Sequence, residues 1–130
     1  MMDTNKMVFV FGSNLSGIHG AGAAKYARHK RGAELGVGEG PTGTCYALPT
    51  KGFDIQPMSV GQIRVFVDQF INYAVRTQRK DFQVTQVGCG LGGHVAADIA
   101  PLFTLAPPNC YFDHVWEPYL PKNFEYWGTM

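Results

Sequence analysis

The stretch from Met7 to Tyr26 restricts the fold more than any other part of the chain. Five apolar residues, Met7 to Phe11, run into Gly12-Ser13-Asn14 and then into a loop holding Gly17, Gly20 and Gly22. A helical pattern rich in alanine follows at once, with Ala23, Ala24, Tyr26 and Ala27. A short apolar run closed by glycine is the pattern of a buried strand. Glycines between a strand and a helix let the backbone turn sharply and leave its N–H groups uncovered. The helix N-terminus adds a partial positive charge. Strand, glycine turn and helix start together make an anion cradle, most often for phosphate.

A second cluster repeats the arrangement. Asp81–Val87 reads as a strand with Phe82, Val84 and Val87 facing inward, and it runs into Gly88-Cys89-Gly90-Leu91-Gly92-Gly93. Between the clusters, Gly32 is placed to end the first helix near Lys30. Residues 32–43 carry Gly32, Gly36, Gly38, Gly40 and Gly43 and read as a flexible surface segment. Thr44–Leu48 reads as a second strand stopped by Pro49, and Thr50 to Met58 as a loop. Ser59 is placed to cap a helix running to about Arg79, whose apolar face is Ile63, Phe66, Val67, Phe70, Ile71 and Ala74. Asp98 is expected to cap a short helix, Ile99–Leu105, with Pro101 in its first turn, before a last strand at Asn109–Phe112. Strands alternating with helices predict an α/β fold with a mixed, largely parallel sheet.

Length and composition narrow the class. A chain of 130 residues fits one domain, 1–130, with a core over about 7–112 and an aromatic tail over 113–130. The tail carries Trp116, Tyr119, Phe124, Tyr126 and Trp127 without a clear period, so it is expected to pack on the body or to join two copies as a homo-oligomer. Hydrophobic residues make up 45% and charged residues 16%, a balance that excludes a disordered chain. With a net charge of +1 and no basic run, a broad nucleic-acid footprint is excluded as well. The first residues lack the pattern of a signal peptide, and no apolar run approaches the roughly 20 residues of a membrane span. Cys45, Cys89 and Cys110 form no CxxC pair, which points to a reducing, cytoplasmic setting. His19, His29, His94 and His114 show no ligand spacing, so neither metal nor cofactor is expected.

Both glycine clusters follow the presumed carboxyl end of a strand, where ligands bind in open α/β sheets. Neither is a P-loop, since no GxxxxGK[ST] occurs. GxGxxG fails too, because after Gly20 and Gly22 the third position is Lys25. Two such loops at one sheet edge can hold a diphosphate from both sides. The competing reading is that the glycines only make turns and permit close packing.

Three segments then carry a family likeness. Gly12-Ser13-Asn14 followed by Gly20-Ala21-Gly22-Ala23-Ala24 resembles the first ligand loop of macro domains. Leu48-Pro49-Thr50-Lys51 and Val87-Gly88-Cys89-Gly90-Leu91-Gly92-Gly93 resemble the PTK and GCGLGG segments of the macro branch that removes ADP-ribose from DNA or from protein carboxylates. Similar short, stand-alone proteins are familiar from phages and bacterial genomes. The likeness covers roughly residues 7–112. It implies a three-layer α/β/α sandwich with ADP-ribose in a cleft across the strand ends, and ADP-ribosylated DNA or protein as partner. It implies that Asn14 contacts the distal ribose or orients a water, that the backbone at Gly20–Ala23 and Gly90–Gly93 holds the diphosphate, and that Lys51 attacks the anomeric carbon. The protein-directed members carry an acidic residue just after GCGL, whereas here Gly92-Gly93 stand there, as in the DNA-directed members.

Read from the residues alone, each of these keeps an alternative. Lys51 also fits an exposed lysine in a Pro-Thr-Lys-Gly turn. Asn14 also fits an Asx turn that braces its own loop. His19, between Gly17 and Gly20, is expected to be exposed, facing either phosphate or solvent; His94 is the other candidate acid or base. Cys89 reads as a small buried residue rather than a nucleophile. Tyr46 and Phe53 are either core aromatics or platforms for an adenine. The candidate ligand set is therefore Gly12, Ser13, His19, Gly20–Ala23, Thr50, Gly88–Gly93 and His94, with Lys51 and Asn14 as the catalytic pair.

Overall fold

The computed structural model describes residues 2–130. Its elements are β1 (Val8–Asn14), α1 (Gly22–Lys30), β2 (Gly40–Thr42), β3 (Cys45–Lys51), α2 (Val60–Arg76), β4 (Phe82–Val84), α3 (Ala96–Ile99), β5 (Cys110–Asp113) and β6 (Glu125–Gly128). The strands form one six-stranded sheet in the order β2-β3-β1-β4-β5-β6. Every neighbouring pair is parallel except β2 with β3. The mixed, largely parallel α/β sheet is as expected.

Strand alternation divides the core into two faces. Phe9, Phe11, Cys45 and Ala47 pack against α1 through Ala27, Ala23 and Tyr26. Val10, Tyr46, Leu48, Val84 and Phe112 point the other way and meet Ile63, Val67, Phe70 and Ala74 of α2. The expected apolar face of α2 is the buried one, with Phe66 packed at its edge. Ser59 caps this helix through a reciprocal box: its hydroxyl accepts from the Gln62 N–H at 3.2 Å, and the Gln62 side chain accepts from the Ser59 N–H at 2.9 Å.

Several boundaries differ from the sequence reading. β1 extends three residues past Phe11 to Asn14, because it is paired on both sides and its far end runs alongside β3. β3 passes through Pro49 instead of stopping before it. β2 ends opposite Ala47, so the missing N–H of Pro49 forfeits no ladder bond on that side. Residues 32–43 are not a loose segment, since they contain β2 and Arg31 anchors their start. The Arg31 guanidinium is buried over the Phe9 ring and donates to Gln83 Oε1, the Thr4 carbonyl and the Met7 carbonyl. α2 ends at Arg76, not near Arg79, and β4 is only three residues long. Val95, not Asp98, is the N-cap of α3, which begins at Ala96 and continues as a 3-10 turn to Phe103 with Pro101 near its start.

The aromatic tail largely packs on the body. Trp116 is fully buried against Phe103 and Phe112, Phe124 stacks on Phe112 at 5.4 Å, and β6 extends the sheet beyond β5. Among the described residues, no helix is long and apolar enough to cross a membrane.

Candidate binding cleft

Because β1, β3 and β4 run parallel, their carboxyl ends open on one edge of the sheet. The segments after them enclose a cavity of about 580 Å³, within the range of nucleotide-sized sites. Its walls are Gly12, Ser13, Asn14, Ile18, Gly20, Ala21, Gly22, Ala23 and Ala24 from the first segment; Thr50, Lys51 and Ile55 from the second; Thr85 to Gly92 from the third; and Met130. Of the residues singled out from sequence, Gly12, Ser13, Asn14, Gly20, Ala21, Gly22, Ala23, Thr50, Lys51, Gly88, Cys89, Gly90, Leu91 and Gly92 meet here. His19, Gly93 and His94 do not.

Gly12 is the point where the three segments converge. A β-carbon there would stand 3.3 Å from both the Gly88 nitrogen and Thr50 Oγ1, so a side chain would press the two glycine loops apart. Beyond it, Asn14 lies beside Lys51 across a register shift in the β1–β3 ladder. The Asn14 amide is committed within its own loop. Its Nδ2 donates to the Ile18 carbonyl at 2.7 Å and its Oδ1 accepts from the Ile18 N–H at 3.0 Å. In this geometry Asn14 shapes the loop.

The loop is braced from behind by residues 36–38. The Gly36 N–H donates to the Gly17 carbonyl at 2.9 Å, and the Ser13 hydroxyl donates to the Gly38 carbonyl. His19 belongs to this brace and not to the cleft. It is 1% exposed, edge-on to Phe11, and its Nε2–H donates to the Val37 carbonyl at 3.1 Å. The expectation of an exposed histidine fails because the 36–38 segment covers it, a contact between residues 18 apart in the chain. His94 is turned toward α2, with Nε2 2.7 Å from the Met58 carbonyl. Gly93 faces Pro57, beyond the cleft.

Two backbone turns face the cavity with uncapped N–H groups. Ala21, the N-cap of α1, supplies no side-chain acceptor, and the first backbone bond of the helix is Lys25 N–H to the Ala21 carbonyl at 3.2 Å. The N–H groups of Gly22, Ala23 and Ala24 precede it. In the other turn, Gly90–Gly92, Cys89 provides no side-chain cap and the first bond is Gly92 N–H to the Cys89 carbonyl at 3.3 Å. That leaves the N–H groups of Gly90 and Leu91 ahead of it. Gly88 and Gly90 adopt φ of +76° and +64°, the left-handed region that favours glycine. The turns approach closely: a β-carbon on Gly22 would touch Leu91 Cδ1 at 3.3 Å.

Lys51 is the only charged side chain among the lining residues, and it forms no ion pair among the described residues. Burial raises the Cys89 thiol above its ordinary value against the opposing Trp116 side chain, with Asp98 adding to the rise. Cys89 is therefore a neutral thiol at pH 7, not a nucleophile. Tyr46 is core, packed on Phe70 and Tyr73, while Phe53 is in solvent. Sequence reasoning missed Ile18, Ala24, Ile55, Thr85, Gln86, Val87 and Met130. The sequence pattern predicts Thr85 and Gln86 in a regular strand; instead the chain kinks after Val84, with the Val87 N–H closing onto the Thr85 carbonyl at 2.7 Å. The kink leaves Gln86 donating to the buried Asp113 carboxylate at 3.2 Å. No family model, curated protein or solved structure matches the chain.

Proposed function

We propose that the chain is a macro-like protein that binds ADP-ribose in this cleft and releases it from a modified nucleobase or side chain. The observation that carries this reading is two uncapped backbone turns facing one cavity whose only charged side chain is Lys51. Backbone dipoles of that kind favour a diphosphate, with no acidic side chain among the lining residues to oppose it. The sugar beyond the diphosphate would lie toward Lys51 at the end of β3.

In the catalytic form of the reading, the Lys51 nitrogen bonds to the anomeric carbon as the bond to the base or carboxylate breaks, and its N–H proton passes to the departing group. Water then releases ADP-ribose and restores the amine. Asn14 acts by holding the Ile18 turn. Calorimetric titration with ADP-ribose tests binding, and release from ADP-ribosylated oligonucleotide and protein tests turnover. Lys51→Ala should retain binding and lose release; equal release by both proteins removes Lys51 from the chemistry.

A second reading, a binder without turnover, is supported by the lack of any acidic side chain among the lining residues to act as acid or base. It predicts that ADP-ribose binds while the wild type releases nothing from either substrate.

A further inference from the structure

A second cavity, of about 540 Å³, lies on the α2 side of the sheet. Pro41 and Tyr46 stand directly opposite each other in the β2–β3 ladder, so their side chains share one face. Tyr46 belongs to the core under α2, and β2 is the edge strand beyond it. Facing them, Gln69, Asn72, Tyr73 and Arg76 line the cavity from the C-terminal half of α2. Steps of three, one and three residues put these four on one stripe of the helix. The cavity is the gap between that stripe and the edge of the sheet.

Tyr46 carries a polar group that the fold leaves unused. The residue is 5% exposed, with its ring 5.0 Å from Phe70 and 5.2 Å from Tyr73. Its hydroxyl has no hydrogen-bond partner among the described residues, yet it is not sealed away as the unpartnered Tyr126 hydroxyl is. Because Tyr46 lines the cavity, that hydroxyl opens there. Burial pushes the Tyr46 phenol up to about 12, with Glu39 and Tyr73 adding to the rise and Arg76 opposing it. At pH 7 it is a neutral O–H donor. Burying a hydroxyl without a partner is costly, and a ligand that supplies the acceptor accounts for it.

The neighbouring polar groups are donors too. Gln69, Asn72 and Tyr73 bring side-chain N–H or O–H groups. Arg76 donates from Nε to the Asn72 carbonyl at 3.2 Å, which leaves its two terminal nitrogens unused, and it forms no ion pair among the described residues. It is the only charged side chain in the lining. Glu39, exposed and two residues before Pro41, lies outside the lining but close enough to act on the Tyr46 phenol. One negative charge therefore balances Arg76, whereas a phosphate dianion would also meet Glu39. Pro41, Val75 and the half-buried Tyr73 ring supply the apolar walls.

We propose that this cavity is a ligand site separate from the cleft and that it takes a small planar carboxylate. The acid group lies on the Arg76 guanidinium and the Tyr46 hydroxyl, and the flat body lies between Pro41 and Tyr73. Arginine suits this acceptor because its parallel N–H groups match the two carboxylate oxygens. Tyr46 stands five residues before Lys51 on β3, about 16 Å away along the strand. The site is therefore independent of what the cleft binds.

Benzoate is the probe, titrated into isotope-labelled wild-type protein and followed by N–H resonances. The Arg76 Nε–H and the Gln69 and Asn72 side-chain amides should shift and saturate with a Kd of about 1 mM, the scale of a fragment-sized ligand. Gly22 and Leu91 in the cleft should stay still. Benzamide, which has the same shape without the charge, should bind about tenfold more weakly. Inorganic phosphate should also bind more weakly than benzoate.

Tyr46→Phe should cost about tenfold in benzoate affinity and leave the melting temperature within about 2 °C, since the hydroxyl bonds to nothing in the protein. Arg76→Gln, exposed and without a folding role, should bring benzoate down to the affinity of benzamide. It keeps the test decisive if Tyr46→Phe folds poorly. Saturation at Gly22 and Leu91 in place of Arg76, or no saturation at all, overturns the proposal. So does equal binding of benzoate and benzamide, phosphate binding as tightly as benzoate, or full benzoate affinity in either variant.

Discussion

Gly38 offers a sharp test of how the first cleft loop is held. Its φ lies outside the left-handed region, so alanine meets no backbone strain there, but a β-carbon would stand 2.2 Å from the Asn14 carbonyl oxygen and 3.0 Å from the Leu15 carbonyl. Both neighbours are backbone atoms, which cannot swing aside as a side-chain tip can. Restoring ordinary contact requires moving the 36–38 segment off the Asn14 loop by about 1 Å, against the Ser13–Gly38 and His19–Val37 hydrogen bonds. Overpacking of this kind costs about 3 kcal/mol. For a domain of this size that lowers the melting temperature by about 10 °C.

Gly36 supplies the control on the same segment. It sits at φ +93° with open space around its would-be β-carbon, so Gly36→Ala should cost only about 1 kcal/mol of backbone strain. Urea denaturation of both variants gives the two values directly, and titration with ADP-ribose reports whether the loop has moved. Gly38→Ala should also weaken the ligand. If Gly38→Ala were no more destabilising than Gly36→Ala, the backbone brace behind the cleft would be wrong.

Other perturbations separate stability from the site. Ser59→Ala removes one arm of the α2 capping box and should cost about 1 kcal/mol in chemical denaturation. ADP-ribose affinity should be unchanged, since Ser59 does not line the cleft. Burial pushes the Cys45 thiol up to about 11 and Cys110 up to about 12 from an ordinary value of 9.0. In the unfolded chain both thiols lose their protons first, so stability holds below pH 9 and falls as pH rises toward 11–12. Cys110→Ala should flatten that alkaline decline in pH-dependent denaturation, and native Cys45 and Cys110 should resist iodoacetamide at pH 8. Lys51→Ala should keep the melting temperature within about 2 °C, because the side chain makes no ion pair among the described residues.

Local chemistry made much of this protein legible. The apolar run of β1, the start of α1, the Ser59 cap and the three- and four-residue spacing of α2 each follow from interactions within a few residues. The convergence of the two glycine clusters was legible as well, because parallel strands place their carboxyl ends on one edge, whereas Thr50 and Lys51 were tied to them only by the family likeness.

What local pattern could not reveal depended on partners far along the chain. β2 and β6 are short edge strands with weak patterns of their own, defined by pairing to β3 and β5. Pro49 sits inside a strand because β2 ends before reaching it. His19 is buried because residues 36–38 fold over it, and the Asn14 amide is occupied because the turn returns Ile18 to it. The sequence by itself determined the elements and which strand ends carry the glycine turns. Only the tertiary structure decided which side chains face the cleft and which are consumed in building it, because burial and hydrogen-bond partners arise from contacts that sequence spacing does not encode.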